Sequence, residues 1–118
     1  PYMFQRFISS SYGRDLRLQV VGDQVVASMY RETADDFRAT AAGIRQAYTP
    51  TPEEETLAIA ATKAIGADYA GVDLLFGPEG KPIICEINSN ALLSKLYDAT
   101  KIDIAECIID YIAETLGY

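Results

Sequence analysis

The chain reads as an α+β domain: a mostly antiparallel sheet of about five strands with two main helices packed on one of its faces. Three observations predict it. Residues 70–90 hold two short apolar runs around a turn of Gly77, Pro78, Glu79, Gly80 and Lys81, a hairpin signature. Residues 15–21 and 24–31 alternate apolar and polar side chains on either side of Gly22-Asp23, a second hairpin. Thr51-Pro52-Glu53-Glu54 and Asp103 then carry the start signals of two helices.

In chain order, residues 2–8 read as a strand, with Tyr2, Phe4 and Arg6 on one face and Met3, Gln5 and Phe7 on the other. Residues 9–13 are a polar break. Centred on Gly22-Asp23, the next hairpin sets Leu16, Leu18 and Val20 against Met29, Ala27 and Val25, an apolar face. Its other face sets Asp15, Arg17 and Gln19 against Tyr30, Ser28 and Val26. Residues 32–50 show neither period and read as a loop, functional or merely connecting. From the cap at Thr51 a helix runs to about Ile65 and stops at Gly66, with Leu57, Ala58, Ala61, Ala64 and Ile65 as its buried stripe. After the 70–90 hairpin comes a loop with a short helix over 91–99. The last helix ends near Leu116, stopped by Gly117, with Ile104, Ile108, Ile112 and Leu116 marking its core face.

A length of 118 residues suits one domain, and 49% hydrophobic residues argue for a folded globule. A net charge of −7 disfavours nucleic acid as a partner. Without histidine, a Ser-His-Asp triad and a Cys-His pair are excluded within this chain, and Cys85 and Cys107 lack the neighbours a zinc site needs. Both cysteines read as buried, reduced packing residues. No run reaches membrane-spanning length and no signal peptide opens the chain, so no membrane partner and a cytoplasmic location are expected. The opening PYMFQRFI starts inside an apolar run, which reads as a fragment whose remainder lies upstream.

The chemistry concentrates in the 70–90 hairpin. Centring its turn between Glu79 and Gly80 sets Asp73 across from Glu86 and Gly71 across from Asn88, all on one face. Opposed side chains have Cβ atoms ~5 Å apart, where like charges repel. A hard cation resolves the repulsion, since Mg²⁺ takes one or two carboxylates and keeps its other positions for water and phosphates. A solvated face with two incidental acids is the plain alternative. It is disfavoured because Val72, Leu74, Ile84 and Ile87 read as buried. On the metal reading, Asp73→Asn relieves repulsion and leaves stability equal or slightly higher.

The succession G-R-D-L-R, V-V-G-D-Q-V-V-A, D-F-R, T-P-E-E-E, A-G-V-D-L-L and C-E-I-N-S-N resembles the C-terminal half of ATP-grasp carboxylate–amine ligases, most closely the RimK-like branch that adds glutamate. The resemblance spans nearly the whole chain, so residues 1–118 are expected to form a C-terminal ATP-grasp subdomain, part of a longer protein. It implies ATP and Mg²⁺ (or Mn²⁺) as cofactors, with Asp73, Glu86 and Asn88 as metal ligands. ATP would phosphorylate a carboxylate, small-molecule or peptide, and an amino-acid amine would displace the phosphate. Arg31 and Arg38 match family arginines near the phosphate and acyl end. Arg17 matches the second arginine-bearing position of G-x-D-x-R. Gln5, Arg6, Phe7 and Ile8 match the segment lining the adenine pocket, and Ser10 stands where a ribose-contacting carboxylate is common. Other departures are Gln5-Arg6 for the usual Gln-Glu, Ala39 to Gly43 in the substrate loop, and S-N-A after Asn88. The family's phosphate-gripping lysines belong to an upstream half, an expected partner within the same chain, so these residues alone are expected to be inactive. A homo-oligomer stays open. Two rivals remain: a non-catalytic binding or assembly module that keeps the fold, and a cation site that only stabilises structure.

Overall fold

A computed structural model describes residues 7–33, 43–89 and 93–117. Five strands form one antiparallel sheet: β1 Arg14–Val21, β2 Gln24–Glu32, β3 Ile44–Ala47, β4 Tyr69–Phe76 and β5 Pro82–Asn88, in the order β3-β2-β1-β4-β5. Three helices accompany it: α1 Pro52–Ala64, α2 Ser94–Thr100 and α3 Ile104–Leu116. The α+β class and the antiparallel sheet are as expected.

The helices, however, divide between the two faces. Leu16, Leu18, Val20, Val72 and Leu74 form one buried cluster with Ala58 of α1. Ala27 and Met29 form a second with Leu96 of α2 and Ile104 of α3. A one-residue slip in the β1–β2 ladder separates the clusters. Next to the turn Val20 opposes Val25, but from Gln19 onward the pairing moves by one, so Gln19 opposes Ala27, Leu18 opposes Ser28 and Leu16 opposes Tyr30. Val26 is the extra residue, a β-bulge that inverts the facing of everything after it in β2. The expected pairing of Leu16 and Leu18 with Met29 and Ala27 is therefore replaced. Met29 and Ala27 turn to the opposite face and need α2 and α3 to cover them.

Helix α1 begins as its sequence dictates. The Thr51 hydroxyl accepts from the Glu54 N–H at 3.2 Å and the Glu54 carboxylate accepts from the Thr51 N–H at 2.8 Å, a reciprocal capping box. Its buried stripe is narrower than expected: Ala58 and Ala61 are buried, Leu57 half-buried, Ala64 and Ile65 exposed. Helix α3 is capped by Asp103, whose side chain accepts from the Glu106 N–H at 3.1 Å, and ends at left-handed Gly117. Of its expected core face only Ile104 is fully buried and Ile108 is half-buried, whereas Ile112 and Leu116 stand exposed. The helix is left uncovered on its apolar side after its first turns. It is pinned further along by Tyr111, whose hydroxyl donates to Asp68 Oδ1 at 3.1 Å and whose ring lies over Gly22. Gly22 has φ +61°, and a Cβ there would come to 2.5 Å of Tyr111 Cε1, so turn geometry and packing both select glycine.

Other expectations shift as well. Phe7 and Ile8 lie in neither strand nor helix, and the rest of that expected strand falls outside the described residues. The stretch read as a loop over 32–50 contributes Glu32 to β2 and an edge strand, β3. Four residues are too few to display a period, so pairing with β2 makes this strand. The short helix spans Ser94–Thr100. Among the described residues no helix is long and apolar enough to cross a membrane.

Candidate metal and phosphate site

The face opposite α1 carries the charged residues. On β1, alternation directs Asp15, Arg17 and Gln19 to it, and β4 adds Asp73 directly across from Arg17. The slip at Val26 brings Arg31 opposite Asp15. Without the bulge, Asp15 would meet Tyr30 and Arg31 would point toward α1.

The result is a buried chain of alternating charges. Arg31 donates from Nε to Asp15 Oδ1 at 2.8 Å and from Nη2 to Oδ2 at 2.6 Å. The same Nη2 lies 3.3 Å from Asp73 Oδ1. From the other side Arg17 grips Asp73 with two bonds, Nε to Oδ1 and Nη2 to Oδ2, the latter at 3.2 Å. Asp73 is only 3% exposed. Such fork-to-fork contacts are the strong form of charged hydrogen bond. Burial pushes the Asp15 carboxyl above its ordinary range despite Arg31. Burial also pulls the Arg31 guanidinium down, but the hydrogen bonds and charges of Asp15 and Asp73 outweigh it and lift Arg31 above its ordinary value.

Glu86 opposes Asp73 and Asn88 opposes Gly71, as the sequence register expects, so all three proposed ligands share this face. The route to that register differs. Next to the turn the pairs are Phe76–Pro82, Leu75–Ile83 and Leu74–Ile84, and a second bulge at Cys85 restores the Asp73–Glu86 pairing. The turn is a short 3₁₀ segment, Pro78–Gly80, with Glu79 at φ 61° and Gly80 at φ 75°. Glu86 is exposed, Asn88 half-buried, and Ile84, expected to be buried, is 38% exposed near the sheet edge. Both cysteines are free thiols, as expected, but neither is buried: Cys85 is exposed and Cys107 half-buried. Cys85 is the bulged residue, and its thiol is pushed up by partial burial and then by the charges of Asp73, Asp15 and Glu86.

No group of three or more His, Cys, Asp or Glu side chains suited to a metal occurs among the described residues. A cation here would rely on two carboxylates and an amide oxygen. That all-oxygen set suits Mg²⁺, which keeps waters and phosphate oxygens in its remaining positions, and does not suit zinc.

The remaining predicted residues lie elsewhere or outside view. Phe7 is exposed and meets the Tyr12 ring edge-on at 6.1 Å. The Ile8 carbonyl accepts from the Ser11 N–H at 3.0 Å. Ser10 donates its hydroxyl to the Phe76 carbonyl, and its own carbonyl accepts from Arg14 Nη2 at 2.9 Å. These bonds fasten the entry segment to the end of β4. Gln5, Arg6 and Arg38 lie outside the described residues. Two residues that sequence reasoning gave no role stand on the site face. Asp15 orients Arg31, and G-R-D-L-R already sets Asp15 and Arg17 on one side of a strand. Arg45 of β3 pairs in register with Arg31, and only the recognition of β3 reveals it.

Comparison with known proteins accords with this geometry. A sequence model of the RimK-like ATP-grasp domain matches residues 2–112. A probable alpha-L-glutamate ligase of Photobacterium profundum is 44% identical over 113 residues, 93% of this chain and 37% of that protein. Human N-acetylaspartylglutamate synthase A is 33% identical over 114 residues, 94% of this chain and 29% of that protein. The chain thus spans 37% and 29% of the lengths of these two relatives. Among solved structures, the ATP-grasp ligase PsnB with a phosphomimetic variant of its minimal precursor, Mg and ADP superposes at a TM-score of 0.71 with 26% identity, over 87% of this chain and 32% of that one. D-alanine–D-alanine ligase from Bacillus anthracis complexed with ATP shares the fold at a TM-score of 0.60 and 24% identity, over 87% of this chain and 38% of that one. With the sheet and the family match in agreement, the chain belongs to the RimK-like ATP-grasp family.

Proposed function

We propose that this chain is the C-terminal, metal-holding part of an ATP-dependent carboxylate–amine ligase that joins an amino acid to a carboxylate acceptor through an acyl phosphate. The observation that carries the reading is the register pairing of Asp73 with Glu86, with Asn88 on the same face beside Arg17 and Arg31. In the proposed reaction an acceptor carboxylate oxygen attacks the γ-phosphorus of ATP and ADP leaves. The amine nitrogen then attacks the acyl carbon, the C–N bond forms, phosphate departs with the acyl C–O electron pair, and the nitrogen gives up a proton that the departing phosphate or water takes.

Asp73, Glu86 and Asn88 would hold Mg²⁺, which supplies charge neutralisation at the phosphate oxygens. Arg31, fixed by two bonds to Asp15, would present a guanidinium with little freedom left to lose where negative charge develops. Arg38, outside the described residues, would act at the same phosphate and acyl end. The segment from Gln5 to Ser10 and Arg17 would contribute to the nucleotide side. The glutamate-ligase relatives favour glutamate or a similar amino acid as the amine, and structures of this fold solved with precursor peptides support a peptide as one candidate acceptor class.

The test is amino-acid-dependent ADP release by the full gene product, screened over a panel of amino acids with Mg²⁺. Asp73→Asn is expected to lower turnover by about two orders of magnitude or more, the scale on which losing a transition-state charge stabiliser acts. Wild-type turnover in that variant would remove Asp73 from the mechanism. Partner binding without ATP turnover in the wild type would favour the non-catalytic module. Residues 1–118 alone are expected to show no turnover.

A further inference from the structure

We propose that Arg17 is the resident counter-ion of Asp73 and that it surrenders this carboxylate to a divalent cation when an anionic phosphate arrives to take the guanidinium. The inference rests on the metal reading of Asp73, Glu86 and Asn88 and extends it to the order in which the site fills.

The argument begins with the oxygens of Asp73. Arg17 covers both, Nε on Oδ1 and Nη2 on Oδ2, and Arg31 Nη2 approaches Oδ1 as well. A hard cation needs the lone pairs that this fork occupies. A guanidinium and a dication on one buried carboxylate also repel each other strongly, because little water screens them. One of the two arginines must therefore give way. Arg31 is tied to Asp15 by two further bonds between buried side chains, so it keeps its place whether or not Asp73 remains a partner. Arg17 has no other hydrogen-bond or ion-pair partner among the described residues. Its side chain is the most exposed of the four in the chain of charges, at 13%. It is the member free to swing.

Where it swings follows from its chemistry. A planar guanidinium matches the oxygens of a phosphate as well as those of a carboxylate. Phosphate binding and cation binding then help each other, and by linkage the help is equal in both directions. The device keeps the site from loading a bare cation and favours cation and phosphate together.

The experiment measures Mn²⁺ binding to the full gene product by electron paramagnetic resonance, with Mn²⁺ standing in for Mg²⁺ and sulfate for the phosphate. Wild type is expected to bind Mn²⁺ weakly alone and several-fold more tightly with sulfate. Arg17→Met should bind Mn²⁺ alone about tenfold more tightly than wild type and lose the response to sulfate. Arg17→Lys keeps the charge, frees one carboxylate oxygen and guards against a folding defect in the first variant. It should fall between the two. Equal Mn²⁺ affinity in wild type and both variants without sulfate would overturn the proposal and leave the metal reading standing. Mn²⁺ binding that is absent throughout, or unchanged by Glu86→Gln, would overturn both.

Discussion

The two faces of the sheet use the same strands for opposite ends. On the α1 side, Leu16, Leu18, Val20, Val72 and Leu74 are covered by Ala58 of the helix with Leu57 and Ile59 packed beside it, and the cluster contains no charge. On the other side, Asp15, Arg17 and Asp73, alternate residues of those strands, meet Arg31 of β2, and α2 and α3 cover only the neighbouring patch around Ala27 and Met29. The first face stabilises through area removed from water. The second commits buried charges to one another, an arrangement that seldom adds stability over an apolar equivalent.

The sharpest test of that contrast is Arg31→Met. Removing the guanidinium leaves Asp15 buried without its partner, and a loss of about 3–5 kcal/mol is expected. Pairing it with Asp15→Leu should restore most of the loss, since an apolar pair of similar volume is often neutral. Urea unfolding midpoints at unchanged slope would read both. Failure of the double variant to recover would mean that the charges stabilise the fold in their own right. On the dry face, Leu18→Ala, at a fully buried position, should cost about 2–5 kcal/mol in the same assay.

Asp73→Asn is expected to cost about 1–3 kcal/mol, because the carboxylate accepts charged hydrogen bonds from Arg17 and Arg31. This reverses the sign expected from sequence, which saw only the repulsion with Glu86. The arginines that dominate the environment of Asp73 come from β1 and β2, and neither was legible as its neighbour. Smallest is Thr51→Ala, which removes one half of the capping box and should cost about 1 kcal/mol, visible as a lower thermal midpoint.

What the sequence disclosed is local. The caps at Thr51 and Asp103, the turn at Gly22-Asp23 and the stop at Gly117 each depend on residues within a few positions, and each is found as read. The pairing of Asp73 with Glu86 was legible as well, although through a turn centre that differs from the real one. What stayed hidden depends on long-range pairing. A bulge leaves no mark in composition, yet the one at Val26 decided which face received Arg31 and therefore whether Asp15 had a partner. Strand β3 was hidden because pairing with β2 creates it. The exposed flank of α3 was hidden because periodicity shows that a helix has an apolar side but not how far its partner extends.

The two bulges also bear on how this chain can change over generations. Val26 and Cys85 are each surplus to the ladder, since the residues on either side of them keep strict alternation when they are skipped. Loss of either residue would shorten a hairpin arm by one and still leave Arg31 facing Asp15, or Glu86 facing Asp73. Insertions and deletions elsewhere in these arms would turn the site residues toward α1. The hairpins therefore contain two positions at which the gene can lose a codon while the charged face keeps its order.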